Sequence, residues 1–137
     1  MGVISELIRT EANGSISFGD YTLASKTKKD NFKHGADQYK VKTFREITKL
    51  ECNGIFVYES VPGTAVSGLE ITENEVSFQV EGPEDAEITL GLSDSTEYEV
   101  FINDENAGTM KTNLGGKLTL SVELGPDSRT AVRIVKK

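Results

Sequence analysis

Tryptophan is absent from this 137-residue chain, cysteine and histidine occur once each, and proline only three times. Cys52 alone excludes an intramolecular disulfide and a cysteine metal cluster, and the lone His34 leaves no second imidazole for a zinc site. No apolar run approaches the roughly 20 residues that span a bilayer as a helix. The opening MGVISELIRT also lacks the basic start, long apolar run and small-residue cleavage site of a secretory leader. The expected compartment is therefore the cytoplasm, and no membrane partner is expected. Gly2 invites N-myristoylation, but that pattern wants Ser or Thr where this chain has Glu6. Gly115-Gly116 links two predicted strands instead of leading into a helix, so no phosphate loop is present.

What is present is alternation. From Leu92 to Leu124, apolar and polar residues alternate and the breaks fall at turn formers. Tyr98, Val100 and Ile102 point one way and Glu97, Glu99 and Asn103 the other; Leu118, Leu120, Val122 and Leu124 repeat the pattern against Lys117, Thr119, Ser121 and Glu123. Such strands bury one face and wet the other. Seven short segments after residue 68 (LEIT, EVSFQVEG, AEITLGL, EYEVFIN, AGTMKT, KLTLSVEL and TAVRIVKK) carry the spacing of a β-sandwich. Its expected inner face comprises Val76, Phe78, Val80, Ile88, Leu90, Leu92, Tyr98, Val100, Ile102, Leu118, Leu120, Val122, Val132 and Ile134.

The first half is less regular. Val3, Ile4, Leu7 and Ile8 fit one face of a short helix over residues 1–12. SISFGDYTL, residues 15–23, reads as a strand with a bulge at Gly19-Asp20. In DQYKVKTF, Tyr39, Val41 and Thr43 share one face while Lys40, Lys42 and Phe44 take the other. ITKLE and GIFVYES flank Asn53-Gly54, the strongest hairpin signal in the chain. The run Ile55, Phe56, Val57, Tyr58 is apolar on both faces, which predicts a strand covered on both sides, by the fold or by another subunit. VPGTAVSG, residues 61–68, has the composition of a connector. The expectation is an all-β, antiparallel β-sandwich, immunoglobulin-like or jelly-roll-like, over residues 69–137, preceded by a β-rich N-terminal segment over residues 1–60.

YEVFINDENAGTMKTNLGGKLTLSVEL, residues 98–124, resembles the last hairpins of immunoglobulin-like or fibronectin-type-III-like modules. That resemblance implies a fold that serves as spacer, glycan binder or assembly surface alike. The whole chain resembles short uncharacterised β-rich proteins of anaerobic Gram-positive bacteria that are loosely labelled endosialidase. Sialidase-like enzymes carry Ser-x-Asp-x-Gly-x-x-Trp turns and an arginine cluster for the sialic acid carboxylate. This chain has no Trp, and Arg9, Arg45, Arg129 and Arg133 lie on distant segments. The expectation is an accessory protein of such systems without catalytic activity.

Candidate chemistry is sparse. Cys52 and His34 would form a nucleophile and base only if the fold brought them together with a third, orienting group. Glu97, Glu99 and Glu123 alternate with core positions, which makes them solvated carboxylates rather than an acid–base pair. Asn103, Asp104, Glu105 and Asn106 form an oxygen-rich turn without the spacing of a dedicated calcium loop. No cofactor is expected. Tyr21, Tyr39 and Tyr58 are the available platforms for stacking on sugar rings.

Charge is segmental. Residues 1–60 carry nine basic and eight acidic side chains, residues 61–137 six and fourteen, and the formal net charge is −7. Residues 26–49 concentrate eight of the basic groups, interleaved with Phe32, Tyr39 and Phe44, yet the acidic whole repels polyanions and no nucleic-acid partner is expected. Opposite patches on one chain favour docking between copies. The expected function is a non-enzymatic assembly protein, a homo-oligomer whose interface draws on Ile55, Phe56, Val57, Tyr58, Lys40, Lys42 and Phe44. A carbohydrate-binding accessory module and a phage or particle structural protein are the alternatives.

Overall fold

The computed structural model describes residues 3–126 and 128–137. Among the described residues thirteen strands form two antiparallel sheets, and none is helical. The strands are β1 (Ile8–Thr10), β2 (Ile16–Phe18), β3 (Thr27–His34), β4 (Asp37–Phe44), β5 (Ile47–Cys52), β6 (Ile55–Val61), β7 (Ala65–Ile71), β8 (Glu75–Glu81), β9 (Ala86–Gly91), β10 (Glu97–Ile102), β11 (Glu105–Lys111), β12 (Lys117–Val122) and β13 (Thr130–Lys136). One sheet runs β1-β2-β7-β8-β13-β10-β11 and the other β12-β9-β6-β5-β4-β3. The sheets face each other across a core that includes Val41, Leu50, Tyr58 and Ile88 from the six-stranded sheet and Phe18, Val66, Val80 and Ile134 from the seven-stranded one.

Period-2 alternation explains most of this. Of the expected inner face, all positions are buried except Leu92 and Ile102, which lie partly exposed against the rim of the core. Tyr58 is central: its ring meets Phe18 edge-on at 5.3 Å and Phe78 at 5.7 Å, contacts worth about 0.5–1.5 kcal/mol each beyond burial. Asn53 and Gly54 adopt φ of 53° and 79°, the paired left-handed geometry of the expected tight turn between β5 and β6.

Three expectations need correction. The helix over residues 1–12 does not form. Leu7 sits at φ 72°, incompatible with a right-handed helix, and β1 pairs with β2 while Ile4 and Ile8 are buried (Met1 and Gly2 lie outside the described residues). The strand expected over residues 15–23 ends at Phe18, because Gly19 turns to φ 103° against the backbone of Thr64. The segment 61–68 is not a linker between units. Thr64, Ala65 and Val66 are fully buried, and each sheet combines strands from both halves of the chain, joined at β2–β7 in one and at β6–β9 in the other, so one core serves the whole chain.

A chain of buried hydroxyls explains how that crossing is held. The Thr48 hydroxyl lies 2.9 Å from the Thr64 carbonyl oxygen, accepts the Thr64 N–H at 3.1 Å and meets the Thr43 hydroxyl at 2.8 Å. Thr43 in turn accepts the Asp20 N–H at 2.9 Å, and the Thr64 hydroxyl lies 2.7 Å from those of Tyr58 and Ser60. Among the described residues no buried side-chain nitrogen or oxygen lacks a partner. The network therefore stabilises polar groups that would each cost about 1–3 kcal/mol if orphaned.

Candidate functional site

The outer face of the six-stranded sheet carries the residues expected at an interface. In β4, Tyr39, Val41 and Thr43 point into the core, which leaves Lys40, Lys42 and Phe44 half-buried on the outside. Strand register lines up one row across the whole sheet: Lys28, Lys42, Lys49, Glu59, Thr89 and Thr119. Three of its six positions are lysines on adjacent strands. Like charges directly opposite each other destabilise a sheet by a few tenths of a kcal/mol. Next to it Phe44 pairs with Ile47, and Val61, 54% exposed, pairs with Glu87, which stands opposite Ser121.

The Ile55–Tyr58 run is divided by the fold. Phe56 lies outside beneath two lysines, with the Lys117 Nζ 4.6 Å and the Lys49 Nζ 5.9 Å from its ring centre. Val57 occupies a bulge opposite the step from Leu50 to Glu51 and packs partly against the core. Ile55 projects at the hairpin tip, 70% exposed. Tyr58 is fully buried and cannot contact a partner, so that residue leaves the interface set. Its burial raises the hydroxyl pKa above the ordinary tyrosine value. Lys49, Ile47, Glu59, Glu87 and Val61 join the face instead; their alternation was visible in the sequence, but the row they form depends on pairing between distant strands.

His34 and Cys52 each engage other partners. The His34 Nε2 is 2.8 Å from the Gly14 carbonyl oxygen, and its ring meets Tyr39 edge-on at 6.1 Å. Tyr39 stands opposite Cys52 across the β4–β5 pair and hydrogen-bonds its thiol. Burial pushes the Cys52 thiol pKa up, the opposite of what a nucleophile needs. Tyr39 and Tyr58 are buried, which removes two of the three expected sugar platforms; Tyr21 remains half-buried near Glu81.

Between β10 and β11, Asn103 and Asp104 form a tight turn with both φ positive. The Asn103 side-chain oxygen accepts the Ala131 N–H and so ties the turn to β13, and that of Asn106 accepts the Gly108 N–H within β11. Among the described residues, no three His, Cys, Asp or Glu side chains gather as a metal site requires. Glu97 and Glu123 are exposed and Glu99 is half-buried beside Asn106. No protein-family model, curated protein or solved structure matches this chain.

Proposed function

We propose that this protein is a non-enzymatic assembly module that pairs with a second copy of itself through the outer face of its six-stranded sheet. The observation that carries this reading is the row Lys28, Lys42, Lys49, Glu59, Thr89 and Thr119, which is basic at one end and acidic next to its centre. A two-fold axis lying in the interface plane, parallel to the strands and running between β5 and β6, brings Lys49 of each copy opposite Glu59 of the other. Such self-complementarity is what a two-fold interface demands. Phe44, Ile47, Phe56 and Val61 supply apolar contact beside it.

Six strands of six to eight residues give a face of roughly 24 by 20 Å, so about 1,000 Å² would be covered in the pair, at the lower bound for specific association. The dimer is accordingly weak and salt-sensitive. Lys49→Glu and Glu59→Lys should each give monomers by light scattering after size exclusion, and an equimolar mixture of the two should recover the dimer mass. A monomeric wild type at low salt, or single variants that remain dimeric, would overturn the proposal.

A further inference from the structure

The opposite face of the molecule carries a feature that this assembly does not use. A trough of about 690 Å³ crosses the outside of the seven-stranded sheet. Its floor is made of short residues, Ser67, Gly68, Ser77 and Ala131, drawn from β7, β8 and β13, with Ser17 of β2 buried beneath one end. From β2 to β10 it spans four inter-strand steps, about 19 Å. Arg133 and Phe101 form one wall, the guanidinium carbon 4.5 Å from the ring centre, and Arg133 leans toward Glu75 at 3.7 Å. At the far end the turn after β1 presents Glu11, whose carboxylate accepts hydrogen bonds from the Ser17 hydroxyl and, at 3.0 Å, from the Arg9 Nε. Asp104 stands exposed at the wall, and Gln79 is oriented by Arg129, which donates to its carbonyl oxygen at 3.1 Å.

We infer that this trough is a binding site for a neutral oligosaccharide. The short floor lets a ring lie close to the sheet, with its C–H face on Ala131 and the Phe101–Arg133 wall. The rim then meets its hydroxyl groups: the Glu11 and Asp104 carboxylates accept hydrogen bonds from them, and the Gln79 amide nitrogen donates to their oxygens. Three features argue for a neutral ligand and against other classes. On and around the trough the carboxylates of Glu11, Asp104, Glu70 and Glu75 stand against the guanidinium groups of Arg9, Arg129 and Arg133, so no net positive field draws in an anionic sugar or nucleic acid. The lining cation, Arg133, is already engaged by Glu75 and Phe101. The floor strands β7, β8 and β13 are paired on both sides, so a peptide finds no open edge to extend.

The test is a ¹⁵N-labelled titration of the full chain with neutral tetrasaccharides of glucose, mannose, xylose and N-acetylglucosamine. Each is used at about 10 mM, ten times the millimolar dissociation constant expected for so shallow a site. Saturable shifts for at least one of them, confined to the amides of Gly68, Ser77, Ala131 and their neighbours, are the expected result. Ser77→Tyr, which fills the trough from an outward-facing position, should weaken binding at least tenfold while the rest of the spectrum stays unchanged; Glu11→Gln should weaken it severalfold. No saturable shift with any of the four, shifts centred on the six-stranded face, or tighter binding of sialyllactose would each overturn the inference.

Discussion

Thr48→Val tests whether the buried hydroxyl chain holds the crossing from one sheet to the other. The substitution keeps the side-chain shape and removes the hydroxyl that bonds both the carbonyl oxygen and the N–H of Thr64, at 2.9 and 3.1 Å, and that meets Thr43 at 2.8 Å. The Thr43 hydroxyl can rotate; the Thr64 backbone cannot, because its segment is clamped against Gly19 and is fully buried. Two orphaned backbone groups at about 1–3 kcal/mol each, partly relieved by the added methyl, predict a loss of about 3 kcal/mol. With an unfolding entropy of about 2.1 cal/mol/K per residue, 137 residues give about 0.29 kcal/mol/K, so Tm should fall by about 10 °C. Calorimetry and urea unfolding at pH 7 measure it, with Thr89→Val as the control. Thr89 makes the same kind of hydroxyl pair, with Thr119 at 2.9 Å, but outside the core and with no backbone group depending on it, and in the monomer at high salt its change should stay within about 0.5 kcal/mol. A Thr48→Val protein whose Tm falls less than about 3 °C would refute the reasoning.

Gly19→Ala should be far more harmful than Gly14→Ala. Both glycines have positive φ, but a Cβ at Gly19 would lie 2.5 Å from the Thr64 carbonyl oxygen, whereas one at Gly14 meets nothing within 4 Å; we expect at least about 3 kcal/mol against about 1 in urea melts, and equal losses would contradict the close approach. Stability should also fall in alkali. Desolvation raises the folded pKa of both Tyr39 and Tyr58, so the stability tied to their neutral hydroxyls is complete below the unfolded tyrosine value near 10 and is lost as pH rises from there toward the folded values. Urea midpoints between pH 8 and 11 report this, and Tyr58→Phe should flatten the decline. An unchanged slope in that variant would mean that Tyr58 does not titrate with unfolding.

The outer face of the six-stranded sheet follows from local alternation only in part. That Lys40, Lys42 and Phe44 point away from Tyr39, Val41 and Thr43 followed from strict period-2 alternation within one strand. The same rule erred at Ile55–Tyr58, where a bulge shifts the phase and leaves Tyr58 inside with Val57 against the core. The segment 61–68 was misleading for a different reason. Its small and polar residues have the composition of a connector, and only the partners supplied by Thr48, Tyr58 and Ser60 make Thr64 a core residue. Val3, Ile4, Leu7 and Ile8 had helical spacing by coincidence; a left-handed Leu7 and pairing with β2 decided otherwise.

The sequence by itself determined that the chain is all-β, where most strands lie, which residues face inward and that the β5–β6 turn is tight, because alternation and turn chemistry act over a few residues. Tertiary structure alone decided that both halves share one core, that Lys28, Lys42 and Lys49 stand side by side, and that Ser17, Ser67, Ser77 and Ala131 lie under one trough. Those facts depend on which distant strands pair and in what register. Pairing is set by the summed burial of two whole sheet faces, a quantity no local window contains.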